Sequence, residues 1–202
     1  SSIRQEFGLN DEWVVTFVGR LDDFKDPLTF VRAVPEIRRR LQKVRFFLVG
    51  DGELGRPVEN LIVRYKLQGV VHLTGFREDV EGFLGISDLF VALSPDENTW
   101  SSTIAEAMFM EVPCIITDAG YSSKLFAHRE NCLLIPPRDE TALADAVVEM
   151  NGDSALRVHL AEGGKELLQR YHRTIPEITQ ATLNLYCDHL SQARVKEEAP
   201  YS

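Results

Sequence analysis

The chain has 202 residues, 44% of them hydrophobic, and its 22 basic and 31 acidic residues give a net charge of −9 at pH 7. This length and composition fit one sizeable α/β domain with a substantial buried core. The acidic balance argues against a nucleic-acid-binding surface, although a few local cations are enough to bind a nucleotide. No apolar run reaches the roughly 18 to 20 residues needed to cross a bilayer, and the N-terminal residues lack the pattern of a signal peptide.

The cysteines and histidines give no indication of a metal site. The three cysteines, Cys114, Cys132 and Cys187, are odd in number and lack metal-ligand spacing, and two of them lie in apolar runs. We expect buried, reduced thiols and therefore a reducing, cytoplasmic location. The five histidines form no cluster with one another or with carboxylates, so surface or packing roles are expected for them, and neither a metal nor another cofactor is expected.

Apolar runs rich in β-branched and aromatic residues alternate with segments of helical periodicity, a pattern typical of parallel βαβ units. Strands are predicted at Trp13–Val18, Val44–Val49, Val70–Leu73, Leu89–Leu93, Cys114–Ile116 and Cys132–Ile135. Helices are predicted at Pro27–Gln42, Glu53–Tyr65, Val80–Gly85, Ser102–Met110, Tyr121–Ala127 and Thr141–Met150. Together they predict an α/β fold, a doubly wound, mostly parallel six-stranded Rossmann-like sheet with helices on both faces.

Two further helices, Ser154–Tyr171 and Pro176–Ala193, are predicted after the last strand. In the second of them Leu183, Tyr186 and Leu190 recur at helical spacing, which gives this helix an apolar face that needs a partner.

The first strand ends at Gly19, and the loop that follows presents two cations, Arg20 and Lys25, just before the next helix. Ligands of open parallel sheets bind outside the carboxyl ends of the strands, where helix N-termini point. Glycine lets the backbone approach a ligand, the fork of Arg20 suits two phosphate oxygens, and Lys25 adds a mobile charge. The pattern favours a site for diphosphate; the alternative is a solvated loop whose cations balance neighbouring aspartates.

Polar loops also follow the next four strands. They are Gly50-Asp51-Gly52, then Gly75-Phe76-Arg77-Glu78-Asp79, then Ser94 to Ser102 leading into Glu106-Ala107-Met108, and Asp118-Ala119-Gly120. Each loop carries polar groups suited to part of one ligand.

Together these motifs resemble the C-terminal, nucleotide-sugar-binding domain of the retaining GT-B glycosyltransferases of group 1. Gly-Arg-Leu, Lys, Gly-Asp-Gly, Gly-Phe-Arg, an acidic loop into Glu-Ala-Met, and a Thr-Asp-x-Gly loop occur in the family order over about Trp13 to Tyr171. The resemblance implies half of a GT-B fold. It also implies a domain that binds a nucleotide diphosphate sugar for retaining transfer of a hexosyl group to a glycan or a lipid-linked saccharide.

The resemblance also implies a role for each matched residue. Arg20 and Lys25 would neutralise the donor diphosphate, whose charge grows as the glycosidic bond breaks. Glu106 would accept hydrogen bonds from the two ribose hydroxyls, and backbone groups of Phe76 and Arg77 would contact the nucleobase. Free N–H groups at a helix N-terminus would bind phosphate or sugar oxygens, namely those of Ser102, Thr103 and Ile104.

Two residues compete for the family's sugar-side acidic position. A gap-free count back from Glu106 over seven intervening residues reaches Asn98, whereas a one-residue insertion in the loop would place Glu97 there. We favour Glu97, which would position the sugar hydroxyls beside the developing oxocarbenium charge. Asn98 would orient the hydroxyls through its amide without adding negative charge.

The chain departs from the family pattern at two further places. Glu111 stands where the family has glycine, which changes a helix end. Lys124 stands where the motif Gly-Gly-x-x-Glu has its glutamate, in the sequence Gly120-Tyr121-Ser122-Ser123-Lys124. This second change reverses a charge near the expected donor site, so the donor sugar of the family is not carried over.

Family members have two Rossmann-like halves, and the N-terminal half carries the acceptor and a catalytic histidine or its equivalent. The resemblance therefore predicts an interdomain linker with a lead-in helix (1–12, helix Arg4–Asn10), a nucleotide-sugar-binding domain (13–171), a C-terminal crossover helix (172–193) and a tail (194–202). The expected partners are the donor and the missing N-terminal acceptor-binding domain. No nucleic acid and no membrane span are expected, and any peripheral membrane contact would run through that other half. Alone, the chain should bind the donor and turn over little.

Two other functions stay open. A non-catalytic binding or regulatory module of the same fold is motivated by Asn98 and Lys124. A nucleotide-sugar epimerase would need acids and bases around the sugar, and the sequence does not show them.

Overall fold

The computed structural model describes residues 2–96 and 101–171. The chain divides into a compact unit, Ser1–Leu167, and a second unit, Leu168–Ser202. The following predictions lie outside the described residues: the sugar-side pair Glu97 and Asn98, the thiol of Cys187, the helix Pro176–Ala193 with its apolar face, the crossover segment 172–193 and the tail 194–202.

The compact unit is built on one six-stranded parallel sheet with the strand order β3-β2-β1-β4-β5-β6. The strands are β1 (Trp13–Val18), β2 (Val44–Val49), β3 (Val71–Gly75), β4 (Leu89–Ala92), β5 (Cys114–Thr117) and β6 (Leu133–Ile135). The predicted doubly wound sheet is thereby confirmed. The strand order reverses between β1 and β4, and this switch point is where open α/β sheets bind ligands.

Helices connect the strands and cover both faces of the sheet. They are α1 (Ser2–Glu6), α2 (Pro27–Arg40), α3 (Gly55–Arg64), α4 (Val80–Leu84), α5 (Ser102–Phe109), α6 (Ser122–Leu125), α7 (Glu140–Gly152) and α8 (Ser154–Tyr171). α2 packs on α3 and α7, while α4 packs on α1 and α5. None of the described helices is long and apolar enough to cross a membrane.

The alternation of side chains along β2 shows how the core divides between the two faces. Phe46 joins the cluster that contains Phe30, whereas Phe47 joins the one that contains Phe83, and all four side chains are buried. The rings of Phe30 and Phe46 lie 5.9 Å apart, and those of Phe47 and Phe83 lie 5.6 Å apart. Both faces are apolar because a parallel sheet is covered by helices on each side.

The lead-in helix differs from its predicted bounds of Arg4–Asn10. It spans Ser2–Glu6, and Gly8 follows it with a φ of 61°, a conformation that favours glycine and ends the helix. α6 is also shorter than predicted, since the backbone of Phe126 is extended.

Two of the predicted buried thiols fall within the described residues. Cys114 and Cys132 are free and buried. Burial raises the pKa of both thiols, to about 12 for Cys132. These are packing residues, because a thiol with a raised pKa is a poor nucleophile.

Candidate functional site

The carboxyl ends of β1, β2 and β3 enclose a cleft of about 220 Å³. Its lining comes from the ends of these strands, the loops that follow and the start of α4: Val18, Gly19, Arg20, Val49, Gly50, Asp51, Phe76, Arg77 and Val80. The cleft therefore brings together residues predicted for the diphosphate, Gly19 and Arg20, and residues predicted for the nucleobase, Phe76 and Arg77. The ring of Phe76 is 75% exposed at this edge.

Backbone hydrogen bonds join the three loops. The Gly19 N–H donates to the Val49 carbonyl at 3.0 Å, and the Gly50 N–H donates to the Gly75 carbonyl at 2.9 Å. The main chain at the ends of the three strands is thus held in place by its neighbours.

Gly50 is the glycine that this packing requires. Its φ is 141°, and a Cβ built on it would lie 1.9 Å from the Gly19 carbonyl oxygen. A Cβ on Gly52 would likewise lie 2.4 Å from the Leu21 carbonyl oxygen. At Gly19 a Cβ would only make an ordinary contact of 3.5 Å with the Lys25 side chain, so protein packing does not require glycine there. Its role toward a ligand stays a prediction.

Two cations follow β1 in different environments. The Arg20 side chain is 77% exposed and pairs with Asp22 at 2.8 Å. Lys25 is half-buried, its Nζ lies 5.2 Å from the centroid of the Phe24 ring, and it forms no ion pair with the described residues. Burial lowers the pKa of Lys25, Asp22 opposes this shift, and Arg20 adds to it. An anion bound here would offset the cost of burying the ammonium group.

Asp26 does not act as a solvated counterion of these cations. It is buried and caps α2, where its Oδ1 accepts the Thr29 N–H at 3.2 Å, and its φ is 51°. Its Oδ2 has no hydrogen-bond partner among the described residues, and burial raises the pKa of the carboxyl. Of the three aspartates that would balance the cations in a solvated loop, Asp22 pairs with Arg20 but is only 17% exposed, Asp23 pairs with Arg138 instead, and Asp26 is buried.

The N-terminus of α5 carries a cap that the sequence prediction missed. The Ser101 hydroxyl accepts the Ile104 N–H at 3.3 Å, so this predicted ligand donor is already engaged. The capping bond leaves the N–H groups of Ser102 and Thr103 as the remaining predicted donors. The signal was present in the sequence, since serine immediately before a helix is a typical N-cap.

Glu106 lies on α5 beside the cleft. Its exposed side chain lines a groove of about 620 Å³. Glu106 does not line the cleft itself, but Val80 lines both this groove and the cleft, so the two adjoin. This placement suits a carboxylate that would bind the sugar attached to the base.

The Arg77 side chain is engaged within the protein. Its guanidinium donates two hydrogen bonds of 2.8 Å to Asp79 and two bonds of 2.9 and 3.0 Å to Glu6. These bonds raise the pKa of Arg77 above its ordinary value. The guanidinium is therefore not free to contact a nucleobase, and the contact of a base with the backbone of this loop stays a prediction.

The β5 loop exposes Tyr121 and Lys124. The Lys124 Nζ lies 4.5 Å from the centroid of the Tyr121 ring and forms no ion pair within the described part of the chain. The loop backbone is held by Ser122, whose hydroxyl accepts the Ala119 N–H at 2.7 Å and donates to Asp118 at 3.1 Å.

Among residues 2–96 and 101–171, no group of three or more histidine, cysteine and carboxylate side chains is arranged to hold a metal ion. His72 has a packing position, with its ring stacked on Phe47 at a centroid distance of 4.9 Å. Burial lowers the pKa of His72.

The family described as glycosyl transferases group 1 matches residues 12–153. The chain belongs to this family. The alpha-D-kanosaminyltransferase of Streptomyces kanamyceticus is 30% identical over 169 residues, which is 83% of this chain and 44% of that enzyme.

Solved structures show the same fold. Anabaena HepE in complex with UDP-glucose superposes with a TM-score of 0.83 at 24% identity, over 93% of this chain and 52% of that one. The C-terminal domain of the group 1 family protein LpcC from Francisella tularensis has a TM-score of 0.74 at 20% identity, over 83% of this chain and 89% of that domain. The group 1 domain thus has the Rossmann-like fold of the C-terminal half of a GT-B protein, and it spans about half the length of HepE and the kanosaminyltransferase.

Proposed function

We propose that the chain is the donor-binding half of a retaining glycosyltransferase, and that the cleft at the ends of β1 to β3 holds the nucleoside diphosphate of a nucleotide sugar. A second domain would hold the acceptor, a glycan or a lipid-linked saccharide, and receive the hexosyl group. Membership of the group 1 family supports this proposal. The UDP-glucose bound by the structurally similar HepE supports the choice of ligand class.

The observation that carries the proposal is the environment of Lys25. Lys25 is half-buried, and its side-chain carbons lie beside Gly19, which lines the cleft. Burial lowers the pKa of its ammonium group, which lacks an ion pair among the described residues. Folding would not favour such a charge unless another group compensates it, and functional sites are where such costs are retained. Arg20 lines the same cleft and adds a second charge, which suits a diphosphate.

The two cations would act on the leaving group. When the bond between the sugar and the diphosphate breaks, negative charge grows on the departing oxygen, and fixed positive charge stabilises this transition state more than the bound donor. Glu106 would hold the ribose hydroxyls, and the backbone at Phe76 and Arg77 would hold the base. The N–H groups of Ser102 and Thr103 would bind phosphate or sugar oxygens.

The sugar would be held by the loop that follows β4. β4 pairs directly with β1, so this loop leaves the sheet beside the loop that carries Arg20 and Lys25. Glu97 would position the sugar hydroxyls there, and Asn98 is the alternative for the same position. This assignment rests on the family pattern.

Calorimetric titration of the 202-residue chain with UDP, GDP, ADP and the matching nucleosides tests the proposal. We expect at least one nucleoside diphosphate to bind about tenfold or more tightly than its nucleoside, because each charge-assisted contact contributes roughly 1.5 to 3 kcal/mol. Arg20→Ala should reduce this preference. Arg129→Ala, which removes a cation paired with Glu149 outside the cleft, is the matched control and should not change it. Equal affinity for nucleoside and diphosphate would overturn the proposal.

The binding-module alternative makes a different prediction for the full-length protein. Such a module would bind the sugar nucleotide and neither hydrolyse nor transfer it. A donor-hydrolysis assay on the protein with its N-terminal half distinguishes the two functions, since a transferase releases the nucleoside diphosphate.

A further inference from the structure

The Arg77 side chain joins two segments that are distant in sequence, α1 and the loop between β3 and α4. Its guanidinium forms paired hydrogen bonds to Glu6 on α1 and to Asp79 at the start of α4. We name these three residues, Glu6, Arg77 and Asp79, the Arg77 clamp. The loop that it holds contains the predicted nucleobase contacts.

The clamp has the geometry of a positioning device. Its side chains are partly exposed, 25% for Arg77, 43% for Glu6 and 45% for Asp79, and ion pairs of this exposure contribute little to global stability. A planar guanidinium with two paired carboxylates is nevertheless directionally specific. The main effect of the clamp is therefore to fix the loop relative to α1.

An aromatic contact joins the same elements. The Phe7 ring, just after α1, lies 5.0 Å from Phe47 and 6.0 Å from Phe83. The Arg77 guanidinium lies 5.1 Å from the centroid of that same Phe83 ring. The loop between β3 and α4, which we name the base loop, therefore shares one packed cluster with α4 and the segment that follows α1.

We infer that Arg77 is a positioning residue, which sets the backbone of the base loop through Glu6 and Asp79 and thereby couples nucleotide binding to the order of α1. The inference rests on the proposed function, since it assumes that a nucleobase occupies the cleft. Coupling of this kind is reciprocal: if an ordered α1 favours base binding, a bound base stabilises α1 to the same extent.

The test compares two variants of the clamp, Glu6→Gln and Arg77→Lys, with a matched control. The control is Glu36→Gln, which alters a similar paired contact on α2, where Arg39 donates to Glu36 at 2.7 and 2.9 Å. Affinities for UDP and for inorganic diphosphate are measured by calorimetry on the 202-residue chain. The clamp variants should weaken UDP binding about fivefold to tenfold and leave inorganic diphosphate within about twofold. The control should change neither affinity.

Hydrogen exchange supplies a readout that a merely structural role would not change. The amides of Phe7 and Leu9 donate to carbonyls of α1 at 3.1 and 2.8 Å and report its order. UDP should slow their exchange in the parent chain and in Glu36→Gln, and should do so less in the clamp variants.

Three results would overturn the inference. Unchanged UDP affinity in folded clamp variants would show that the clamp does not position the base loop. Equal losses for UDP and inorganic diphosphate would show a general structural effect. A parent chain that binds none of UDP, GDP, ADP and inorganic diphosphate would contradict the proposed function itself, and the inference with it. If Arg77→Lys unfolds, Glu6→Gln carries the test, because its carboxylate is more exposed.

Discussion

The two sides of the sheet edge that carries the candidate site are built differently. On the β1 to β3 side, main-chain hydrogen bonds join the loops, and Gly50 lets two of them approach closely. On the β5 side, a main-chain bond of 2.7 Å joins Asp118 to Ile135, the Ser122 side chain adds two hydrogen bonds within the loop, and Tyr121 and Lys124 are exposed. The first side would suit the base and the diphosphate that are predicted to bind there. On the second side, the exposed side chains can change without disturbing the sheet.

The largest expected effect is that of Gly50→Ala. The new Cβ would clash with the Gly19 carbonyl, and alanine would have to keep a φ of 141°, which is unfavourable for it. We therefore expect a loss of about 3 to 5 kcal/mol in the free energy of unfolding. Gly69→Ala is the matched control: its φ is 73° but nothing lies within 4 Å of the new Cβ, so only strain of about 1 to 2 kcal/mol is expected. Urea denaturation measures both, and equal losses would show that the close approach is unimportant.

Lys25→Met should separate binding from stability. We expect UDP affinity to fall about tenfold or more, because a charge-assisted contact is lost. The free energy of unfolding should not fall at neutral pH, because a half-buried charge is replaced by an apolar side chain.

The pH dependence of the free energy of unfolding tests whether the buried charge of Lys25 destabilises the fold. Because its folded-state pKa lies below 10.5, the unfolded chain binds more protons in the window between the two values, and stability contributed by Lys25 rises with pH there. Below that window the cost of the buried charge is fully present. Denaturation curves at a series of alkaline pH values should show this rise in the parent chain and not in Lys25→Met; identical curves would refute it.

Glu106→Gln should weaken UDP binding by about tenfold, as expected for a hydrogen bond to a charged acceptor. Glu81→Gln is the control, since Glu81 lines the same groove and has no predicted contact with ribose. The UDP affinity of the control, measured by calorimetry, should stay within about twofold of that of the parent chain. A similar loss in both variants would indicate a general effect of charge in the groove.

The smallest expected effect concerns the sugar side. Lys124→Ala should leave UDP affinity unchanged, while the ratio of UDP-glucose to UDP affinity should shift by about threefold, as expected for an exposed charge. Paired titrations measure both ligands on one preparation. A change in UDP affinity itself would show that the β5 side also contributes to binding of the nucleotide.

Much of the fold was predictable because it depends on local patterns. Each of the six strands lies within two residues of its predicted bounds, since buried apolar runs end at glycine or polar loops. The bounds of α1 were not predicted correctly, because the resemblance placed the helix at Arg4–Asn10, whereas Gly8 with its positive φ follows a helix that already ends at Glu6.

The site was predictable in its residues and less so in their contacts. Arg20, Phe76 and Arg77 follow parallel strands, and the carboxyl ends of parallel strands lie at one edge of the sheet. Their proximity could therefore be predicted from the order of strands and loops in the sequence. The pairing of Arg77 with Glu6 spans 71 positions, and the need for glycine at residue 50 arises from a neighbouring loop, so neither has a local signal. The burial of Asp26 was missed because an aspartate that follows Lys25 and two other aspartates has the pattern of a solvated loop.

The most direct test of the central claim is an NMR titration of the ¹⁵N-labelled chain with UDP, which locates the bound nucleotide. A second groove of about 590 Å³, lined by residues of α2 and α7 that include Arg32 and Asp145 and by Tyr65 just after α3, is the internal comparison. We expect the amide shifts to concentrate at Gly19, Arg20, Gly50, Phe76 and Arg77. Shifts concentrated at the second groove, with the cleft unchanged, would contradict it.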